Sequence, residues 1–185
     1  MPAQTEDAVI ACVQNWIEKA VIGLNLCPFA KAVYVKNQIR YVVSKAQDTA
    51  ALLAELKAEL DTLHTSAAQE IDTTILIHPD VLNDFLEYNA FLQQAEAAIE
   101  ELDLRDEIQI ASFHPHYQFA DTQGDDIENY TNRSPYPLLH LLREASIDRA
   151  VAAFPDAASI FEQNIVTMRN LGQQGWEALN TQPPV

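Results

Sequence analysis

Apolar residues recur at helical spacing near the amino terminus, where Val9, Val13, Trp16, Ile17 and Val21 fall on one side of a helix. Thr5 is placed as its N-cap, and Glu6 and Asp7 complement the positive end of the helix dipole. The pattern predicts a helix from Thr5 to Ile22 that stops at Gly23. Gly23-Leu24-Asn25-Leu26-Cys27-Pro28-Phe29 reads as a loop, because glycine reaches left-handed φ and Pro28 keeps Cys27 extended. Ile39, Tyr41 and Val43 alternate with Arg40, Val42 and Ser44, which predicts a first strand, with a short pairing segment at Val33 to Val35 before it. Asp48 caps a second helix whose Leu52, Leu53, Leu56, Leu60 and Leu63 make one apolar side. Thr73 to Ile77 is the second strand. Pro79 and Asp80 open a third helix that runs through Leu82, Phe85, Leu86, Leu92, Ala95 and Ile99 to Leu102, and Ile108 to Phe113 is the third strand.

From His114 to Pro137 the pattern dissolves into turn and polar residues, over a stretch longer than structural connections usually are, which marks a functional loop. Leu138, Leu141, Leu142 and Ala145 then predict a helix. Ile160, Phe161, Asn164, Ile165, Met168 and Leu171 predict a terminal one after Pro155. Strands alternating with long helices define an α/β fold, with a small mainly parallel or mixed sheet of about three strands and helices packed on it. A single domain is expected over residues 1–181, with 182–185 as a frayed tail.

Composition narrows the function classes. Eleven Lys and Arg against 27 Asp and Glu give a formal charge of −16 in 185 residues, so the mean surface repels nucleic acid and anionic membranes, and only a local basic pocket would hold an anion. The amino terminus carries acids rather than a basic leader region, and no apolar run reaches the roughly 18 residues that span a bilayer. With only Cys12 and Cys27, and no CxxC pair, the expectation is a cytoplasmic protein with free thiols. Phosphate loops, GxSxG elbows, HExxH and EF-hand loops are absent, and the chain has only four glycines.

The densest chemistry is Phe113-His114-Pro115-His116-Tyr117-Gln118-Phe119 at the end of the third strand. Residues two apart in an extended chain project to one side roughly 6 to 7 Å apart, so His114 and His116 are placed to share a divalent ion such as zinc or iron, with His140 as a third ligand. The plainer alternative is two imidazoles hydrogen-bonded within a polar loop. The carboxyl ends of strands are where open α/β sheets bind ligands. Asn129-Tyr130-Thr131-Asn132-Arg133-Ser134-Pro135-Tyr136-Pro137 follows, with Arg143 three residues beyond His140. Asn132, Arg133, Ser134 and Arg143 are candidates for holding a small anion, against the alternative that the arginines pair with local acids. His140, among leucines, is equally a half-buried structural histidine. Cys27 is a candidate nucleophile or soft ligand, or an inert packed thiol. His64 and His78 are assigned no role.

Gly23-Leu24-Asn25-Leu26-Cys27-Pro28-Phe29-Ala30, the Phe113-to-Tyr117 segment, and above all Asn132-Arg133-Ser134-Pro135-Tyr136-Pro137 with His140-Leu141-Leu142-Arg143-Glu144 resemble the bacterial family of domain of unknown function 1415 over nearly the whole chain. The resemblance implies a bacterial, soluble, single-domain protein and brings no reaction with it.

Three readings follow from the residue chemistry. The first is an enzyme acting on a small anionic molecule, with His114, His116 and His140 or Cys27 holding a metal for hydrolysis. The second has no metal: Cys27 attacks, a histidine of the His114-to-His116 segment moves the proton, and Asn132 or Arg133 steadies the oxyanion. The third is a module that senses a small anion or haem without turning it over.

Overall fold

The computed structural model describes residues 5–153, 156 and 159–183. Helix α1 (Glu6–Trp16) starts where expected, with the Thr5 hydroxyl accepting from the Ala8 amide. Its continuation, Ile17–Ile22, widens into π-helical winding. Gly23 stays in the helical region at φ −62°, and the left-handed residue of the turn is Asn25 at φ 55°. Glycine is required at 23 for space: a Cβ there would sit 2.3 Å from the Lys19 carbonyl.

Strands β1 (Ile39–Val43), β2 (Thr73–Ile77) and β3 (Ile108–Phe113) lie where the alternation put them. Helix α3 (Thr49–Thr65) is capped by Asp48, whose carboxylate accepts from the Ala51 amide. Three expectations are corrected. Val33 to Val35 is not a pairing segment but the end of a short helix α2 (Ala30–Val35), in which Ala30, Lys31 and Ala32 favour helix over the β-branched valines. Helix α4 (Phe85–Glu101) opens at Asp84 rather than at Pro79, because the Asp84 carboxylate accepts from the Leu86 and Glu87 amides, and Pro79–Asp84 is a turn.

The largest correction is at 138–143, where the expected helix is strand β4 (Leu138–Arg143). Leu138-Leu139-His140-Leu141-Leu142 is a nearly unbroken apolar run, the signature of a central strand covered on both faces, and its leucines also happen to match helical spacing. The sheet order is β1-β2-β4-β3. β1 and β2 are parallel, and β4 runs antiparallel to both β2 and β3, so the carboxyl ends of β1, β2 and β3 share one edge. Helices α5 (Glu144–Ala153) and α6 (Ile160–Ala178) follow, and α6 is kinked at Gly172, φ 64°. Pro155, expected to precede the last helix, and Pro184 and Val185 of the expected tail lie outside the described residues.

Side chains alternate across the sheet into two cores. Leu76, Ile108, Leu139 and Leu141 face Leu52, Leu56 and Leu60 of α3 and Phe91, Ala95 and Ile99 of α4. Ile75, Ile77 and Leu138 face Val9, Val13 and Trp16 of α1 and Met168 and Trp176 of α6. Both layers close on the sheet's carboxyl edge. There Tyr88 of α4, fully buried, inserts its hydroxyl between two strands: it accepts from the Phe113 amide at 3.0 Å and donates to the Leu138 carbonyl at 2.8 Å. Removing that oxygen strands a buried donor and a buried acceptor. Tyr88→Phe is expected to cost about 2–4 kcal/mol in urea unfolding at neutral pH, and a loss below about 0.5 kcal/mol would show that the two strands close directly without the phenol.

Candidate functional site

The edge around Tyr88 gathers the histidines that end β2 and β3. His78 follows β2, is fully buried, and stacks on the Tyr88 ring at 5.8 Å with the planes 19° apart. His114 follows β3, is equally buried, and lies 5.0 Å from Tyr88 and 5.4 Å from Phe85. Both imidazoles grip the same turn. Nδ1 of His78 donates to the Val81 carbonyl at 2.8 Å, since a carbonyl only accepts, and Nε2 is left as a buried lone pair without a partner. Nδ1 of His114 accepts from the His116 amide at 3.0 Å, which puts the ring proton on Nε2, where it reaches the Leu82 carbonyl at 3.1 Å. Leu82 itself is held at φ 61°, an uncommon conformation for a residue with a branched side chain.

His116 projects outward. Its ring is exposed, its centroid 5.9 Å from that of His114, and it makes no side-chain hydrogen bond among the described residues. The Asn132–Pro137 segment runs alongside. The His114 amide donates to the Asn132 carbonyl, and the Asn132 side chain donates to the Ser112 carbonyl, so this residue extends the edge of β3 rather than facing a ligand. Ser134 is buried and donates to the Tyr136 carbonyl. Arg133 lies with its guanidinium carbon 4.1 Å above the centre of the Tyr130 ring, donates from Nε to the Tyr117 carbonyl at 3.2 Å and from Nη2 to the Gly124 carbonyl. Its Nη1 makes no hydrogen bond among the described residues.

The long connection after β3 is built rather than loose. Asn129, fully buried at its centre, accepts on Oδ1 from the Phe119 amide and the Thr122 hydroxyl and donates from Nδ2 to the Gln123 carbonyl. Nothing in its spacing marked Asn129 as the organiser of this loop. His78 carries no distinctive pattern either, being a histidine before proline at a strand end. The signal available for it was position: it ends β2 as His114 ends β3.

The remaining candidates lie elsewhere. His140 sits inside β4 opposite Ile75 and Ala111, on the α1 and α6 side of the sheet, whereas His114 packs on α4 on the other side. The Thr73 hydroxyl lies 2.7 Å from Nε2 of His140 and donates to the Leu141 carbonyl at 2.6 Å, so it accepts from the imidazole. The three imidazoles grouped by spacing therefore do not converge. Among the described residues, no group of three or more His, Cys, Asp or Glu side chains is arranged to hold a metal ion. Arg143 pairs with Ile108, at the opposite end of β4 from Leu138, and its guanidinium donates to the carbonyls of Leu63, Ser66 and Ile71, closing the exit of α3. Burial pushes the Cys27 thiol up, against the opposing effect of the Phe29 and Ala30 amides.

Burial pushes His78 and His140 down to about 4, and lowers His114 as well. Because the folded values lie below that of a free imidazole, the unfolded chain takes up protons first. The stabilisation is complete above about pH 6.5 and is lost as pH falls toward 4. At pH 5 the loss is about 2 kcal/mol for His78 alone. Urea midpoints measured from pH 7.5 to 5 should fall accordingly, and His78→Asn, which keeps the donor to Val81 and does not titrate, should flatten the slope. An unchanged slope in that variant would mean that His78 takes no part.

A small mixed α/β domain with an imidazole and tyrosine cluster at the carboxyl edge of its sheet is the class this geometry defines. The chain belongs to the family described as Protein of unknown function (DUF1415), whose model matches residues 8–178. No match was found among curated proteins or among solved structures. Among the described residues, no helix is long and apolar enough to cross a membrane.

Proposed function

We propose that the protein is a bacterial cytoplasmic enzyme that binds a small anionic substrate at the carboxyl edge of the sheet and acts on it by imidazole proton transfer. One observation carries the reading. Of the candidate residues gathered there, His116 and Arg133 have side-chain nitrogens without a partner among the described residues, while the His116 amide is bonded to His114 and Arg133 Nε to the carbonyl of Tyr117, the residue next to His116. A guanidinium stacked on Tyr130 and held at two carbonyls loses little freedom when its remaining amino group meets an anion. The imidazole of His116, one residue before the Tyr117 carbonyl in the chain, is suited to take a proton from water and return it to a leaving group, which makes hydrolysis the most economical reaction. The unpaired thiols of Cys12 and Cys27 fit a reducing compartment.

Sulfate and inorganic phosphate are the first probes, by calorimetry, with aryl phosphates and aryl esters as a turnover panel. Wild type is expected to bind at least one of the two anions, and His116→Ala and Arg133→Lys to weaken that binding at least fivefold. His116 is exposed, so its variant should retain the unfolding midpoint. Affinity unchanged in both variants would overturn the site. Binding without turnover on the panel, with the anion recovered intact, would favour the sensing reading over the enzymatic one.

A further inference from the structure

The Pro79–Asp84 turn is held by two buried histidines that reach it from different strands. His78 fastens Val81 and His114 fastens Leu82, and between these bonds Leu82 is kept at φ 61°. A leucine in this region is strained and relaxes when its constraints go. His114 uses its other nitrogen to accept from the His116 amide. Its ring therefore ties the turn on one side to the candidate anion site on the other.

We propose that His114 is a proton-operated latch: as the neutral imidazole it closes the Pro79–Asp84 turn and occupies the His116 amide, and on protonation it lets go of both. A proton on Nδ1 points at the His116 N–H, so donor meets donor and the bond that seats the ring is lost. Leu82, Asn83 and Asp84 favour the charged ring, but the cost of burying its charge is larger and drives it outward. The groups facing His114 are Leu82, Asn83 and Asp84 from the turn, Phe85 and Tyr88 from α4, with Tyr117 packed on Phe85, His116 from the following segment, and His78 from the end of β2. Oδ1 of Asp84 is committed to capping α4, and the Tyr88 hydroxyl to Phe113 and Leu138. His78 offers no relief either, since it faces Tyr88 and His114 and its own Nε2 has no acceptor nearby. Once the ring swings out, Leu82 relaxes, the turn opens, and the freed His116 amide adds a backbone donor beside the His116 ring. Only this last consequence rests on the anion-binding reading.

Hydrogen exchange read by mass spectrometry at pH 7.5 and 5.5, corrected for intrinsic rates, tests the latch without any ligand. Protection of a peptide covering 79–87 is expected to fall severalfold at the lower pH relative to peptides from β2 and α3, and His114→Gln, which keeps an amide donor for Leu82, should reduce the difference to the part that His78 carries. Equal loss of protection in all three peptides, or a full pH response in His114→Gln, would overturn it. Should that variant fail to fold, wild-type NMR decides: the ring of His114 and the amides of Leu82 and His116 must titrate with one midpoint, and separate midpoints sink the proposal. Sulfate affinity is read alongside and is expected to rise at least fivefold at pH 5.5. No sulfate binding at either pH would strike the anion site and leave the exchange result standing.

Discussion

The hydroxyl of Tyr88 is the interaction on which the carboxyl edge depends. It satisfies one backbone donor on β3 and one backbone acceptor on β4, at the point where the two strands leave the sheet. Its ring then serves as a wall for His78 on one strand end and His114 on another. Without a fixed ring neither imidazole has a defined seat, and without seated imidazoles the turn into α4 loses the two side chains that hold it. The loss of one oxygen is thus felt first at the edge and then in the loop beside it.

Much of the fold was legible because local signals and tertiary burial agreed. Thr5 and Asp48 cap the helices they were expected to cap, and the three segments expected as strands are strands. The failures share a cause. Leucine suits a helix by itself, and only burial on both faces makes Leu138 to Leu142 a central strand, a property of the assembled sheet rather than of the segment. Asp84, five residues beyond the expected helix start, shows the other kind of miss: Pro79 is a permitted first-turn residue, but a carboxylate that accepts two amides decides the boundary.

At the site, spacing along the chain proved a poor guide to convergence. His114 and His116 are two residues apart, yet one is sealed against α4 and the other faces outward, because Pro115 and the hydrogen bond from the His116 amide turn the chain between them. Arg143 matched a helical partner of His140 only while that segment was read as a helix. In a strand the two residues, three apart, point to opposite faces. Arg133 was recognised for its charge, but its fixed posture, from Tyr130 and two carbonyls, has no trace in the sequence. His78 required the topology, since its importance comes from the parallel alignment of β2 with β3.

The position of β4 has a consequence for how the chain is made. β4 is the last strand in the sequence and sits between β2 and β3, with β3 pairing to β4 and β1 to β2. During synthesis the first two strands have each other, but β3 has no neighbour until residues 138–143 have emerged. Until then the inner edge of β2 and the whole of β3 present open backbone groups, the kind of surface that invites pairing with another chain. The nascent protein therefore has a vulnerable interval bounded by β3 and β4, and the tightly built loop around Asn129 occupies that interval. A loop that folds on itself early shortens the reach that β4 must make to close the sheet.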